Sequence, residues 1–290
     1  MSGAGRTIAE LLRQARGRFE GAGLDDPAAD ARVLIAGLLG LSPTDLVTRA
    51  DEAVEEAKTE IVEAAIERRL LREPVHRILG QREFYGLPLS LSPATLEPRP
   101  DTEILVDSVL EHMRRLVSAP GNIQILDLGT GTGAICLALL SECPNASGTG
   151  SDISLEALET AQENAKRNGL ATRFKTVQSS WFAAIDGQFH VIVSNPPYIQ
   201  SSVIGTLTPE VKMFDPPAAL DGGHDGLDAY RAIAVDAGRF LHQDGVIGVE
   251  IGYDQRVAVT ALFEAQGFAL IEAARDYGHN DRALLFQHKD

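Results

Sequence analysis

The sequence predicts an α/β fold: a doubly wound, mostly parallel sheet of the Rossmann-like type, preceded by a small helical domain. Three observations predict it. Apolar residues recur at helical spacing in the N-terminal part, short apolar segments alternate with amphipathic ones after Asp101, and a glycine-rich loop follows the first of those segments. Strands that alternate with helices usually pair in parallel, with helices on both faces of the sheet.

The N-terminal part is predicted to be helical because its apolar residues recur every three or four positions. A helix at residues 28–39 follows Pro27, as is typical of helix starts. The apolar residues of the helices before and after it are Ile8, Leu11, Leu12, Ala15, Val54, Ile61, Val62, Ala65, Ile66 and Leu70. We therefore predict a helical domain at residues 1–76.

A change in composition marks the end of this domain. The segment from Glu73 to Pro100 is rich in proline and glycine and has alternating apolar residues, which is typical of turns and short strands. We predict a linker at residues 77–93, with a short hairpin around Tyr85-Gly86, and a second domain at residues 94–290.

In the second domain, a helix after Asp101 precedes the alternating elements. Strands are predicted at residues 122–128, 173–178, 189–194, 245–251 and 282–287, and a further strand ends at Asp152. The predicted helices include residues 134–140, 153–169, 226–241 and 255–267. Ligands of such sheets bind beyond the carboxyl ends of the strands. The two informative motifs of the sequence lie at such ends.

The composition is that of an ordinary globular protein, with 44% hydrophobic and 23% charged residues. No apolar run approaches the roughly 18–20 residues of a membrane helix, and the N-terminus lacks the apolar core of a secretory signal, so we expect a cytoplasmic protein without a membrane partner. Cys136 and Cys143 are too few for a disulfide framework or a metal site. A net charge of −15 disfavours extended binding to nucleic acid.

A glycine-rich loop, Gly129-Thr130-Gly131-Thr132-Gly133, joins the first strand of the sheet to a helix. Its glycines permit a tight turn and let backbone N–H groups approach a ligand. Asp152 ends the next strand, at about the spacing at which an acid binds ribose hydroxyls in nucleotide-binding sheets. These residues predict a nucleoside-containing cofactor.

The loop alone leaves the cofactor open, because Gly129, Gly131 and Ala134 also satisfy the dinucleotide pattern G-x-G-x-x-G/A. Asp127, at the end of the first strand, decides between the two. Its carboxylate would repel a pyrophosphate but would attract the ammonium group of a methionine moiety. We therefore predict S-adenosyl-L-methionine as the cofactor, with a nicotinamide dinucleotide as the alternative.

The segment from Ser194 to Ile199 reads SNPPYI and directly follows an apolar strand. Proline fixes φ, and the residue before a proline is extended, so this strand exit is stiff and its carbonyls have few local donors. The Asn195 side-chain oxygen and the Pro196 carbonyl can then accept both hydrogens of a planar NH₂ group. The Tyr198 ring offers that group a flat wall.

Within this segment, Asn195 to Tyr198 form a clamp that is suited to methyl transfer onto a conjugated nitrogen. The lone pair of such a nitrogen is delocalised, so the nitrogen must be held in line with the sulfonium methyl while positive charge on it is stabilised. We predict Asn195, Pro196 and Tyr198 as catalytic residues and Asn195, Pro196, Pro197 and Tyr198 as the substrate site. Neither an ionisable base nor a metal ion is required.

With these motifs the sequence resembles the HemK/PrmC-type protein-(glutamine-N5) methyltransferases. The resemblance covers almost the whole chain, in the motifs EPVHRILGQREFYGL, PRPDTE, DLGTGTGAI, SDIS, SNPPYI, ALDGGHDGLDAYRAI and DYGHNDR. It implies a class I S-adenosylmethionine-dependent methyltransferase fold with a seven-stranded sheet. It also implies methylation of the Gly-Gly-Gln glutamine of peptide chain release factors, which act in translation termination. It also implies that the helical domain grips the release factor, and that cofactor contacts fall on Gly129 to Gly133, Asp152, Trp181 and Asn195.

Two neighbouring positions leave the cofactor site partly open. The Trp181 indole suits packing as well as it suits contact with an adenine. Ser180 stands where the family usually has an acid, so a contact to the adenine amine is expected to be lost or moved.

Four charged residues have two interpretations each. Arg99, Asp101 and Glu103 could line the cofactor pocket, or they could belong to a surface helix start at which Asp101 is the cap. Glu250 ends a strand at the ligand-facing edge of the sheet, where an acid is also unremarkable.

The leading hypothesis is methyl transfer from S-adenosylmethionine to a release-factor glutamine. The alternatives are a glutamine methyltransferase acting on a ribosomal protein, a nucleic-acid base N-methyltransferase, a nicotinamide dehydrogenase and a non-catalytic binding module. Negative charge disfavours the nucleic-acid enzyme, and a dehydrogenase would leave the clamp without a role. Nothing in the sequence requires more than a monomer.

Overall fold

The computed structural model describes residues 6–116 and 123–289. Asn122 of the first predicted strand, and the first five residues of the predicted helical domain, lie outside this part. The chain divides into two compact units, Met1–Gln81 with Thr208–Phe214, and Arg82–Leu207 with Asp215–Asp290. No helix of the described residues has both the length and the apolar character needed to span a membrane.

The elements follow the predicted order of helices first and an alternating sheet afterwards. In chain order the helices are α1 (Ile8–Gly21), α2 (Pro27–Leu39), α3 (Asp45–Thr48), α4 (Glu56–Leu70), α5 (Val75–Leu79), α6 (Glu103–Leu116), α7 (Ala134–Glu142), α8 (Leu155–Arg167), α9 (Ser201–Ile204), α10 (Pro209–Phe214), α11 (Asp228–Phe240) and α12 (Arg256–Ala265). The strands are β1 (Gln81–Phe84), β2 (Leu87–Ser90), β3 (Ile123–Leu128), β4 (Ala146–Asp152), β5 (Phe174–Gln178), β6 (Phe189–Ser194), β7 (Leu241–Glu250), β8 (Phe268–Arg275) and β9 (Asp281–His288).

The helical unit is built on apolar helix faces with capped ends. Thr7 begins α1 with a capping box, since Glu10 N–H donates to Thr7 Oγ1 at 3.2 Å and Thr7 N–H donates to Glu10 Oε2 at 2.9 Å. Most of the predicted apolar positions are buried in one cluster. Ile61 is an exception, with 55% of its surface exposed, because its neighbour Val62 takes the core-facing position on α4 and the two cannot share one face.

A buried ion pair joins α10 to this unit, which the sequence did not predict. Arg69, only 6% exposed, donates from Nε to Asp30 Oδ2 at 2.8 Å and from Nη1 to Glu210 Oε1 at 3.1 Å. Arg72 adds a contact of 3.4 Å between its Nη1 and Glu210 Oε1. A buried guanidinium needs such partners, so Glu210 links α10 to α4.

The second unit contains the predicted seven-stranded, mostly parallel sheet, in the order β5-β4-β3-β6-β7-β9-β8. The five strands from β5 to β7 are parallel, and β9 is antiparallel to both β7 and β8. The chain moves outward from β3 to β5 and then returns to β6 beside β3. The carboxyl ends of β3 and β6 are therefore neighbours, with Leu128 opposite Ser194, at the switch point where ligands bind such sheets.

Both faces of the sheet are covered by apolar side chains. One cluster joins α6 and α7 to β3 and β6 and includes the fully buried Leu105, Leu137 and Val191. The cluster on the other side contains Phe263 and Phe286, whose rings stack at 4.3 Å. Cys136 and Cys143 are free and buried in the first cluster, as expected for small apolar fillers.

The predicted hairpin is confirmed as β1 and β2. Its two turn residues, Tyr85 and Gly86, have φ values of 51° and 74°. Positive φ at both central residues is the mark of a type I′ turn, whose twist matches that of paired strands.

The packing of β4 against α7 depends on the absence of a side chain at Gly148. A Cβ atom there would lie 2.3 Å from Cys136 Sγ and 3.3 Å from Leu140 Cδ1. We predict that Gly148→Ala lowers the free energy of unfolding by about 1–3 kcal/mol through overpacking, measured by urea denaturation.

Gly238 in α11 is the matched control, because a Cβ there would meet Phe268 at an ordinary distance of 3.6 Å. Gly238→Ala should leave stability unchanged or raise it by about 0.5–1 kcal/mol, since alanine is the better helix former. Equal stability changes in the two variants would contradict this account of the core.

Candidate active site

The glycine-rich loop after β3 adopts a backbone that glycine allows at low cost. Gly129, Gly131 and Gly133 have φ values of 70°, 54° and 83°, in the left-handed region that other residues rarely occupy. Gly133 is the N-cap of α7. The loop is tied to β4 by a hydrogen bond of 2.8 Å from Thr130 N–H to the Ser151 carbonyl.

A buried asparagine supports the loop from α8, and sequence analysis missed it. Asn164 has no exposed surface, and its Nδ2 donates to the Thr132 carbonyl at 2.9 Å and to the Ser90 carbonyl at 3.1 Å. Its Oδ1 accepts the Ser90 N–H at 2.7 Å. One carboxamide therefore links the loop to β2 of the hairpin.

Asp152, at the end of β4, has its carboxylate fixed by the backbone. Its Oδ2 accepts Gly131 N–H at 3.0 Å, and its Oδ1 accepts Ser154 N–H at 2.9 Å. Each carboxylate oxygen can accept two hydrogen bonds. Both oxygens thus keep an acceptor site for the hydroxyl groups of a ligand.

Asp127 is buried at the end of β3, with 1% of its surface exposed. Its Oδ2 accepts Thr130 Oγ1–H at 2.7 Å and Cys136 N–H at 3.3 Å, but its buried Oδ1 has no partner among the described residues. Burial, with a smaller contribution from the charge of Asp152, raises the pKa of this carboxyl to about 7. An unpaired buried carboxylate oxygen is costly, and a cationic ligand group would relieve that cost.

A cavity of about 280 Å³ opens beside these residues, close to the lower limit of roughly 300 Å³ for small-molecule sites. It brings together several predicted site residues: Gly129, Thr130, Gly131, Thr132, Asp152, Trp181, Asn195, Pro196 and Pro197. Asp127, Gly133 and Tyr198 are predicted site residues that do not line it. The walls that sequence analysis missed include Ala94, Leu96, Pro98, Thr102, Pro216, Ala218 and Ala219.

Trp181 lines the cavity in an unusual backbone conformation, with φ at 50°. Its carbonyl accepts Ser179 Oγ–H at 2.8 Å, and the same hydroxyl oxygen accepts Ala184 N–H at 3.0 Å. A strained non-glycine residue at a cavity wall indicates a functional constraint. Ser180, by contrast, is exposed and is not among the lining residues.

The clamp leaves β6 with two oxygens directed away from intramolecular partners. Asn195 Nδ2 donates to Thr102 Oγ1 at 3.3 Å. Within the described ranges, neither Asn195 Oδ1 nor the Pro196 carbonyl accepts a hydrogen bond. Both residues line the cavity, so these acceptors are available to a ligand.

The rest of the clamp backbone is held by Gln255, which precedes α12, and by the glycine-rich segment before α11. Gln255 Nε2 donates to the Tyr198 carbonyl at 3.0 Å and to the Gly226 carbonyl at 3.1 Å. A Cβ at Gly226 would lie 2.4 Å from the Tyr198 oxygen. A Cβ at Gly222 would lie 2.8 Å from the Pro197 carbonyl oxygen and 2.8 Å from Tyr198 Cα, so only glycine permits this approach.

The Tyr198 side chain packs into the apolar cluster on the α11 side of the sheet. Burial raises the pKa of its phenol to about 12, so the group is neutral and is no base at physiological pH. Its OH lies 3.5 Å from Glu250 Oε1. Glu250 is 2% exposed, and burial raises the pKa of its carboxyl to about 7.

The PRPDTE segment contributes Thr102 to the cavity and none of its charged residues. Arg99 Nη2 pairs with Asp215 Oδ2 at 2.7 Å, Asp101 Oδ2 lies 3.4 Å from Arg282 Nη2, and Glu103 Oε1 accepts Tyr85 N–H at 2.9 Å. None of these three charged residues lines the cavity. Asp101 lies inside a 3₁₀ turn (Pro100–Thr102) whose N-cap is Arg99, so the prediction of Asp101 as a helix cap is wrong.

Comparisons with known proteins identify the family and the fold of this chain. Residues 10–80 match the family described as PrmC N-terminal domain, and residues 102–212 match the family described as Methyltransferase small domain. Among solved structures, a methyltransferase from Pyrococcus furiosus has a TM-score of 0.52 at 19% identity, over 76% of this chain and 96% of its own. A ribosomal protein L11 methylase from Lactobacillus delbrueckii subsp. bulgaricus has a TM-score of 0.50 at 20% identity, over 69% and 84%.

Full-length relatives are far more similar. Release factor glutamine methyltransferase of Agrobacterium fabrum is 58% identical over 99% of this chain and 100% of its own length. The protein of that name from Bradyrhizobium diazoefficiens is 46% identical over 90% of this chain and 88% of its own.

The doubly wound sheet, the glycine-rich loop and the clamp thus define a class I methyltransferase. Because the solved structures share so little sequence identity with this chain, their similarity supports the fold alone. The full-length similarity goes further: this chain belongs to the release factor glutamine methyltransferase family. The predicted fold class and the predicted family are both confirmed.

The raised pKa of Asp127 predicts how the stability of the protein depends on pH. Because the folded pKa of Asp127 is raised to about 7, its contribution to folding is complete below the unfolded pKa of about 4 and is lost as pH rises through 7. Asp127→Asn should therefore gain stability relative to the wild type between pH 5 and pH 8.5, on the order of 1–3 kcal/mol.

Urea denaturation of both proteins without ligand at the two pH values measures this difference. Asp186→Asn, at an exposed position, is the control and should differ from the wild type equally at both. A constant difference for Asp127→Asn would show that the carboxyl does not titrate in this range.

Proposed function

We propose that this protein transfers the methyl group of S-adenosyl-L-methionine to the side-chain amide nitrogen of the glutamine in the Gly-Gly-Gln motif of peptide chain release factors. The observation that carries the proposal is the pair of unpartnered acceptors, Asn195 Oδ1 and the Pro196 carbonyl, in one cavity with Asp152 and the glycine-rich loop. Two adjacent acceptors match the two hydrogens of a primary amide.

The residues around the cavity fit this cofactor. Asp152 keeps acceptor capacity for ribose hydroxyls, and Trp181 offers an indole wall for an adenine. Asp127 does not line the cavity but contacts Thr130, which does. Its buried, unpartnered Oδ1 would attract the ammonium group of the methionine part by charge. The negative charge of Asp127 would repel a pyrophosphate, which argues against a nicotinamide dinucleotide. When bound, S-adenosylmethionine supplies a methyl group on an electrophilic sulfonium.

The clamp would act by orientation and by electrostatics. Asn195 Oδ1 and the Pro196 carbonyl accept the two amide hydrogens and hold the nitrogen facing the methyl group. Positive charge would develop on the nitrogen as the methyl group is transferred and the C–S bonding pair stays on sulfur as a neutral thioether, and these two oxygen dipoles would stabilise that charge. The neutral phenol of Tyr198 takes no proton, so the amide proton leaves to water.

The family relationship favours a release factor over a ribosomal protein as the substrate, because the relatives that match the full chain carry that name. A nucleic-acid base is disfavoured by the net charge of −15. We propose residues 1–76 as the domain that recognises the release factor, 77–93 as a linker and 94–290 as the methyltransferase domain. A cytoplasmic monomer fits this proposal.

The identity of the cofactor can be tested by binding. Calorimetry should detect binding of S-adenosylmethionine and no binding of NAD. Asp152→Ala should lower the affinity for S-adenosylmethionine by about 10- to 100-fold, since hydrogen bonds to a charged group contribute about 1.5–3 kcal/mol. The exposed Asp186→Ala is the control. Binding of NAD alone would contradict the role given to Asp127.

The role of the clamp can be tested by methyl transfer to a release factor. Intact-mass analysis of unmodified release factor, incubated with the protein and S-adenosylmethionine, should show one added methylene, and none when the Gly-Gly-Gln glutamine is replaced. Asn195→Ala should lower the rate at least about 100-fold, the loss typical of one oriented polar group. Asn145→Ala, at an exposed asparagine, should keep full activity. An active Asn195→Ala variant would exclude the proposed mechanism.

A further inference from the structure

A carboxamide has nearly the same shape in its two orientations, which exchange its oxygen and its NH₂ group. For Asn195 the choice decides function. With Oδ1 toward the cavity, the side chain accepts a substrate N–H. With Nδ2 toward the cavity, two NH₂ groups would face each other and could not form a hydrogen bond. The clamp therefore needs a device that selects one orientation.

Two residues next to Asn195 supply such a device. Thr102 Oγ1–H donates to Glu250 Oε2 at 2.6 Å, and Thr102 Oγ1 accepts from Asn195 Nδ2 at 3.3 Å. A hydroxyl has one proton and an ionised carboxylate only accepts. Once the Thr102 proton is committed to Glu250, the threonine oxygen can only accept, and the Asn195 group beside it must be the NH₂.

We propose that Thr102 and Glu250 are positioning residues, which set the orientation of the Asn195 carboxamide so that its oxygen faces the substrate amide. The inference rests on the proposed function and adds two residues to it. Thr102 lines the cavity, but Glu250 does not, so Glu250 acts through Thr102 and not by contact with a ligand.

The surroundings hold Glu250 in place from several elements. Its backbone carbonyl accepts the buried Tyr230 OH at 2.9 Å, and the Tyr198 OH lies 3.5 Å from Oε1. Burial is the largest influence on the pKa of the Glu250 carboxyl and raises it, as does the charge of Asp101 on the 3₁₀ turn, whereas the hydrogen bond from Thr102 and the charge of Arg282 on β9 favour the ionised carboxylate. Thr102 belongs to that same turn and is 3% exposed. Donor and acceptor are thus both fixed before any ligand binds.

Thr102→Val removes the hydroxyl with almost no change of shape, and Thr102→Ser keeps it. Rates of methyl transfer to release factor and calorimetric affinities for S-adenosylmethionine are measured for both variants. Thr102→Val should lose about 10- to 100-fold in kcat, as expected when a reacting group is misplaced. Its KM for release factor and its affinity for S-adenosylmethionine should stay within about threefold of the wild type. Thr102→Ser should keep at least about a third of the wild-type kcat.

Glu250→Met tests the second residue, because it frees the Thr102 proton without altering the cavity wall, and it should lose kcat to the same extent as Thr102→Val. Thr160→Val, which removes a buried hydroxyl that donates to Ser92 Oγ at 2.9 Å, should keep full kcat.

The inference is overturned if Thr102→Val or Glu250→Met stays fully active, if Thr102→Ser is as slow as Thr102→Val, or if weaker cofactor binding accounts for the loss. A wild-type protein that binds S-adenosylmethionine but methylates no release factor would instead contradict the proposed function.

Discussion

The proposed active site depends on two oxygen atoms that form no hydrogen bond with the described part of the chain. Asn195 Oδ1 and the Pro196 carbonyl lie at a strand end, where backbone and side-chain acceptors are normally paired. Two consecutive prolines make this possible, because they hold the exit from β6 extended and remove the N–H groups that would otherwise be near. The acceptors remain free for a ligand.

Stiffness alone does not position these atoms, and the neighbouring segments supply the remaining restraints. Gln255 binds the Tyr198 carbonyl, and Gly222 and Gly226 let their segment approach the clamp backbone. Asn164 gives comparable support to the glycine-rich loop through Thr132. Buried polar groups with all partners satisfied make a site rigid. The loop and the clamp therefore come to neighbouring strand ends in defined conformations.

Much of this could be predicted from sequence because it depends on local signals. Alternating periodicity predicted the sheet, glycines predicted the loop, and Tyr85-Gly86 predicted the hairpin turn. The strand β8 was not predicted as a separate element, and Ile61 was assigned to a buried face although it is exposed. The pairing of Glu210 with Arg69 joins residues 141 positions apart, and no local pattern carries that information. Thr102 lay inside a motif, but only the fold shows that the threonine and not its charged neighbours reaches the cavity.

The most direct test of the central claim is a crystal structure of the protein with S-adenosylhomocysteine and a peptide that contains Gly-Gly-Gln. The account predicts the glutamine nitrogen at about 2.7–3.2 Å from both Asn195 Oδ1 and the Pro196 carbonyl oxygen, the range of ordinary N–H···O bonds. A complex in which either oxygen is bonded to the protein itself, with the glutamine amide held by other groups, would contradict it.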